Sequence, residues 1–239
     1  MSNKGGVGKS TVASNLAFAL ADAGQAVGML DADLHGPSLV KMSGAGGKRL
    51  DSKDNKIIPL TVRPNLKLVS LGLILGLQNE PVIWRGPLKM KAIKQFVEDV
   101  DWGDLDYLII DAPPGTGDEP LSIIQLITSL NGVIIVTTPQ ELALLDSKKA
   151  VNFVKELKVP VLGIIENMSG FTCPHCGRET DLFKHGGGQR AAREMAVPFL
   201  GRIPFDPYVV ESGDKGSPFT EKESRATSAM HGIIQKIIK

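Results

Sequence analysis

Six nearly continuous apolar runs of strand length limit what this chain can become: 26–30 (AVGML), 66–71 (LKLVSL), 107–111 (YLIID), 132–138 (GVIIVTT), 161–167 (VLGIIEN) and 198–203 (PFLGRI). They do not alternate apolar with polar, so both faces of each need cover, as in a parallel sheet with helices on either side. Helical patterns fill the intervals at 9–23, 86–100, 119–129, 141–157, 188–196 and 221–238. This order predicts a doubly wound, mostly parallel α/β sheet with helices on both faces. In the first helix Val12, Leu16 and Leu20 share a face, and Gly24 stands where a helix stop is expected. Two segments fit the alternation poorly: 43–65, rich in Gly, Lys and Asp, and 168–188, which ends in Gly186-Gly187-Gly188. Both read as surface excursions from one domain spanning residues 1–239.

The first helix is entered from MSNKGGVGKST. A common phosphate-binding loop reads G-x-x-x-x-G-K-[ST], and here Asn3 occupies the first glycine's place. Asparagine tolerates left-handed backbone better than most residues, so Asn3 can stand in for glycine. Small residues let the amides of Gly5, Gly6, Val7 and Gly8 curl around phosphate oxygens, while the helix beginning near Lys9 turns its positive end toward them. Lys9 would reach the β- and γ-phosphates of ATP, Ser10 would ligate Mg2+, and Thr11 would meet the α-phosphate. With Lys9 already serving those phosphates, the second loop lysine, Lys4, suggests a charge delivered to a partner chain at the transition state, in the manner of an arginine finger. That reading predicts a homodimer; the alternative is a solvated loop lysine.

Asp31 and Asp33 follow one strand in MLDADLHGPS, and Asp111 ends another in YLIIDAPPGTGDE. Ligands of open parallel sheets bind at the carboxyl ends of strands, so all three should converge on the loop. Asp111 is expected to hold the magnesium shell through water, Asp31 to support the metal site, and Asp33 to orient the attacking water. Taken singly, each could be an N-cap or turn residue. Globally, 27 basic and 26 acidic residues leave a net charge of +1, which provides no pull toward nucleic acid or an anionic membrane.

The only two cysteines lie in CPHCG, which excludes a disulfide framework and suggests a reducing, cytoplasmic compartment. Four readings of Cys173 and Cys176 compete. A thioredoxin-like motif would open a helix rather than sit in a glycine-flanked excursion. A structural zinc needs four ligands, and these thiols with His175 or His185 supply at most three or a strained four. Plain packing thiols do not need the C-x-x-C spacing. Iron–sulfur clusters usually take four thiolates, which two chains related by a twofold axis could supply together.

KGGVGKSTVASNLA, DADLHGPSL, PVIWRGP, IIDAPPGTGDE, ENMSGFTCPHCG and GRIPFD, in that order across nearly the whole chain, resemble the Mrp-type iron–sulfur cluster carrier ATPases. These are P-loop NTPases of the deviant Walker A class, related to MinD and the nitrogenase iron protein. The resemblance implies a homodimer that binds a labile [4Fe–4S] cluster through Cys173 and Cys176 of both chains and hands it to apo-proteins, gated by ATP binding and slow hydrolysis. It makes Lys4 the signature lysine, Asp33 the first switch aspartate and Asp111 the second-motif aspartate. It also assigns Asn167 to the adenine edge, where a turn residue is the alternative.

The family carries an apolar strand before the loop, and this sequence starts after its place, so the expected sheet lacks that strand. Two rivals use the same loop. A MinD-like membrane switch with a structural zinc could anchor through Met230, Ile233, Ile234, Ile237 and Ile238, although such a stripe more often docks on its own sheet. A nitrogenase-like reductase would use the shared cluster to move electrons.

Overall fold

The computed structural model describes residues 1–33, 36–75, 86–127, 129–173 and 175–238. In chain order the elements are α1 (Lys9–Asp22), β1 (Val27–Asp31), α2 (Leu39–Met42), β2 (Asp51–Lys53), β3 (Lys56–Ile58), β4 (Leu60–Arg63), β5 (Leu66–Ser70) and α3 (Leu71–Leu75). They continue through α4 (Gly86–Glu98), β6 (Tyr107–Asp111), α5 (Asp118–Leu126), β7 (Val133–Thr137), α6 (Glu141–Glu156) and β8 (Val161–Glu166). The remainder is β9 (Phe171–Thr172), β10 (Glu179–Thr180), α7 (Gly187–Glu194), β11 (Phe199–Arg202), α8 (Pro207–Lys215) and α9 (Arg225–Ile234). Residues 81–85 of PVIWRGP lie outside the described residues.

The six apolar runs become β1, β5, β6, β7, β8 and β11. One sheet has the order β4-β5-β1-β6 and another β11-β8-β7; all pairings in them are parallel except that of β4 with β5. Burial explains the unbroken apolar character of β1. Met29 faces a core built with Phe18 and Leu20 of α1 and Met230 and Ile233 of α9. Leu30, one residue on, faces the opposite core with Ile93 and Phe96 of α4 and Ile123 of α5. Successive side chains thus enter different cores, and neither face meets water.

Residues 1–2 lie between β7 and the segment after β6: the Met1 amino group donates to the Ile134 carbonyl at 2.6 Å, the Val136 amide donates to Met1 O at 2.9 Å, and the Gly115 amide donates to Ser2 O at 2.9 Å. The loop therefore emerges at the C-terminal ends of β6 and β7. The apolar stripe of the last helix faces inward, with Met230, Ile233 and Ile234 buried and Ile237 and Ile238 packed against the same core. This docking uses the very side chains a membrane anchor would need. Among the described residues, no helix is long and apolar enough to cross a membrane.

Part of the 43–65 excursion joins the sheet as β4, and 51–58 forms the antiparallel hairpin β2-β3. Helix α8 carries its own start and stop: the Asp206 carboxylate accepts the Tyr208 amide at 2.9 Å, Pro207 opens the helix, and Gly216 closes it in left-handed backbone.

Candidate nucleotide and thiolate sites

Two glycines shape the loop. Gly6 and Gly8 have φ of 82° and 80°, the left-handed region that glycine enters at no steric cost. Asn3 is not among the left-handed residues, so it needs no glycine-like backbone; its Nδ2 reaches toward Asp146 Oδ1 at 3.5 Å. Gly8 is doubly constrained, because a Cβ there would fall 2.2 Å from Nδ2 of Asn167. That Nδ2 donates to the Val7 carbonyl at 3.0 Å, while the Asn167 amide donates to Thr137 O at 2.7 Å. Asn167 thus sits at the end of β8 with its side chain against the loop, which is where a residue facing a bound base would have to start.

Beyond Gly8 the loop becomes α1, and Lys9 is buried. Its Nζ donates to Asp111 Oδ1 at 2.6 Å and to Ser10 Oγ at 3.2 Å. Asp111 ends β6 directly opposite Asp31, which ends β1. The other Asp111 oxygen, Oδ2, is buried and accepts no hydrogen bond from the described residues. A buried carboxylate oxygen without a partner fits one built to face the water shell of a divalent cation.

Asp31 receives the amides of Asp33 and Leu39, each at 3.2 Å, and the Ser70 hydroxyl at 3.4 Å. Burial, and then the neighbouring Asp111, hold its carboxyl well above the usual carboxylate range, against the pull of those two amides. Asp31, Asp33, Asp111, Lys9 and Ser10 therefore lie together where the ends of β1 and β6 meet the start of α1. Thr11 is half-buried one residue along α1. Lys4 is exposed at the outer side of the loop. Ser70 had no signal beyond its place at the end of an apolar run.

The cysteines occupy the tip of a hairpin. β9 and β10 pair antiparallel, Thr172 opposite Glu179, and the Cys173 amide donates to Arg178 O while the Gly177 amide donates back to Cys173 O, both at 2.9 Å. This turn aims the amides of Cys176 and His175 at the Cys173 sulfur. Those amides, and then the Cys176 thiol, lower the Cys173 pKa and favour the thiolate. Cys176 is exposed and Cys173 partly so, and neither is in a disulfide. His185 turns instead to Asp181, Nδ1 to Oδ1 at 2.8 Å. Among the described residues, no group of three or more His, Cys, Asp or Glu side chains could hold a metal ion.

The hairpin is tied down from outside. The Arg225 guanidinium, at the start of α9, donates to Thr172 Oγ1 at 2.9 Å and pairs with Glu179. Phe205 stacks edge-on against Phe171, with ring centres 6.1 Å apart.

Comparison with known proteins follows the same lines. The ParA family model described as the NUBPL iron-transfer P-loop NTPase matches residues 1–238. An iron–sulfur cluster carrier protein of Methanocaldococcus jannaschii is 49% identical over 239 residues, covering 100% of this chain and 82% of the relative. A nucleotide-binding protein of Archaeoglobus fulgidus, solved in complex with ADP and with cobalt found in it, superposes with a TM-score of 0.82 at 38% identity, over 94% of this chain and 88% of the other. The septum site-determining protein MinD of Pyrococcus horikoshii, solved with Mg-ADP, gives 0.69 at 25% identity over 100% and 94%. By loop, sheet and full-length likeness, this chain belongs to the NUBPL-type iron-transfer P-loop NTPases of the ParA family.

Proposed function

We propose that this protein is an ATP-binding, slowly ATP-hydrolysing carrier. In this reading it takes up a labile [4Fe–4S] cluster between two copies of itself and passes it to apo-proteins in the cytoplasm. The observation that carries the reading is the thiol pair: two cysteines at an exposed tip, one with amides aimed at its sulfur, and no third metal-ligating side chain beside them among the described residues. Two thiolates are half of a four-thiolate set, and a second copy would supply the rest. A surface suited to that copy adjoins the loop. Leu142 and Leu145 of α6 are 69% and 56% exposed, and Asp146, one turn on from Leu142, is the residue Asn3 reaches. Lys4 is exposed on the same loop, and in this reading it would meet the other chain's phosphates.

At the nucleotide site the residues divide the work. Gly5, Gly6, Val7 and Gly8 would present their amides to the phosphates, with Thr11 beside the α-phosphate and Asn167 at the base. Lys9 and Asp111 now neutralise each other, and separating a buried pair is costly unless each gains a new partner. ATP with Mg2+ would supply both partners: the ammonium of Lys9 turns to the β- and γ-phosphates, and Asp111 to the metal's waters. Ser10 would be a direct metal ligand and Asp31 would steady the shell. Mg2+, when bound, contributes neutralisation of phosphate charge. Asp33 would orient the attacking water, and Lys4 from the partner would stabilise charge in the transition state.

Anaerobic reconstitution with iron and sulfide tests the reading, with Cys173→Ser and Cys176→Ser beside the parent. A brown dimer holding about four irons and four sulfides, lost in either variant, is expected. A colourless chain with about one zinc per dimer would point instead to a MinD-like switch with a structural metal.

A further inference from the structure

Glu166 is the last residue of β8, fully buried, and has no part in the chemistry above. Its carboxylate lies at the N-terminus of α7, where Oε1 accepts the Gly186 amide at 2.9 Å and Oε2 accepts the Gly188 amide. Oε1 also accepts the Ser169 hydroxyl and lies 3.8 Å from Nε of Arg202. A helix start rich in bare amides is an anion site, and here the anion comes from the chain itself. Gly188 makes room for it, and Gly187 lets the helix start approach Pro139. A Cβ on Gly188 would fall 2.9 Å from the Glu166 Cβ, and one on Gly187 would fall 2.7 Å from the Pro139 carbonyl.

Ser169 and Gly186 are the two ends of the excursion that holds the cysteine hairpin. One buried carboxylate therefore clasps both sides of its neck. The next residue, Asn167, is the one pressed against Gly8 and bonded to Val7 in the nucleotide loop. One peptide bond joins the two contacts, at a strand end gripped by Thr137 on one side and Ile203 on the other. A shift of the loop that displaces Asn167 must move or strain the Glu166 clasp.

We propose that Glu166 is a positioning residue that couples occupancy of the nucleotide loop to the geometry of the Cys173–Cys176 hairpin. The coupling rests on the carrier reading for its purpose and on the loop binding ATP for its trigger. Glutamine in its place keeps the shape but turns an amide NH2 toward a backbone N–H, so one arm of the clasp becomes repulsive.

Hydrogen–deuterium exchange at the Cys173 and Gly177 amides, in the cluster-free full chain with and without ATP and Mg2+, tests the coupling. Nucleotide should change those rates by about threefold or more in the parent, and by less than about 1.5-fold in Glu166→Gln, with ATP affinity kept within about threefold. An equal change in both chains, or none in an ATP-bound parent, overturns the proposal. If Glu166→Gln does not fold, Ser169→Ala decides, since it removes only the hydroxyl arm. There the nucleotide effect should fall by about half, and an undiminished effect overturns the proposal. The readout needs no cluster, so a chain that couples yet never takes up iron would sink the carrier reading and leave the clasp standing.

Discussion

Lys9 and Asp111 meet at 2.6 Å with 8% and 0% of their side chains exposed, whereas Cys173 and Cys176 stand at the tip of a hairpin whose strands are two residues each. The nucleotide site is assembled from the ends of a buried sheet, and the charged side chains of Lys9, Asp111 and Asp31 in it have partners in the same chain. At the thiol tip backbone amides and the Cys176 thiol support Cys173, while the side-chain braces, Arg225, Phe205 and the Glu166 clasp, hold the base of the hairpin. A site that must grip and orient phosphates gains from rigidity, while one that must accept and release a cluster gains from standing open. On the carrier reading proposed above, rigidity is distributed according to what each ligand has to do.

Stability measurements should separate the two regions most sharply. Lys9→Met leaves a buried carboxylate uncompensated, and the ligand-free chain should lose about 3 kcal/mol in urea unfolding. Cys173→Ser should leave the urea midpoint where it was. If the two variants lose equal stability, the contrast is broken.

Backbone gives the next effect. Gly8 and Gly177 both have left-handed φ, 80° and 68°, but only Gly8 has a neighbour where the Cβ would go. Gly177→Ala should cost about 1 kcal/mol from the backbone alone, and Gly8→Ala about 2 kcal/mol or more together with loss of ADP binding by calorimetry. Equal costs would mean that Asn167 yields easily, and the tight loop contact would have to be given up.

The smallest effect is in pH. A carboxyl whose folded pKa is raised contributes stability at low pH that is lost as pH rises through the folded value. Asp31 is such a group, held up first by burial and then by Asp111. In the metal-free chain Asp31→Asn removes that loss, so its Tm should gain on the parent's as pH climbs above about 4, the unfolded value. A gap that stays flat with pH would show that Asp31 ionises freely in the fold.

Much of this architecture could be read from residue order. Runs buried on both faces have to be apolar throughout, and the phosphate loop must be glycine-rich to bend, so both leave marks in a single sequence. Strand β4 left little mark, because an antiparallel edge strand after a polar stretch has neither a long apolar run nor a helical period. Helix α8 was readable, since Asp206-Pro207 and Gly216 are start and stop signals, but its short apolar stripe hid it. Asn3 was given a left-handed backbone that it does not have, because the glycine of the common loop pattern was taken to mark a torsion requirement. Glu166 escaped notice as the polar end of an apolar run. The pairing that reveals its place, an acid followed about twenty residues later by three glycines, is made only when the chain folds back.

Arg225 has a consequence in time as well as space. It follows Glu179, its partner in the hairpin, by 46 residues, and it belongs to the helix whose apolar side closes the core over α1. On a ribosome the cysteine tip is therefore translated well before the residue that braces it, and domains are completed as their last segments emerge. A nascent chain would display its thiols on an unbraced loop, and the hairpin gains its brace only when the last helix is complete.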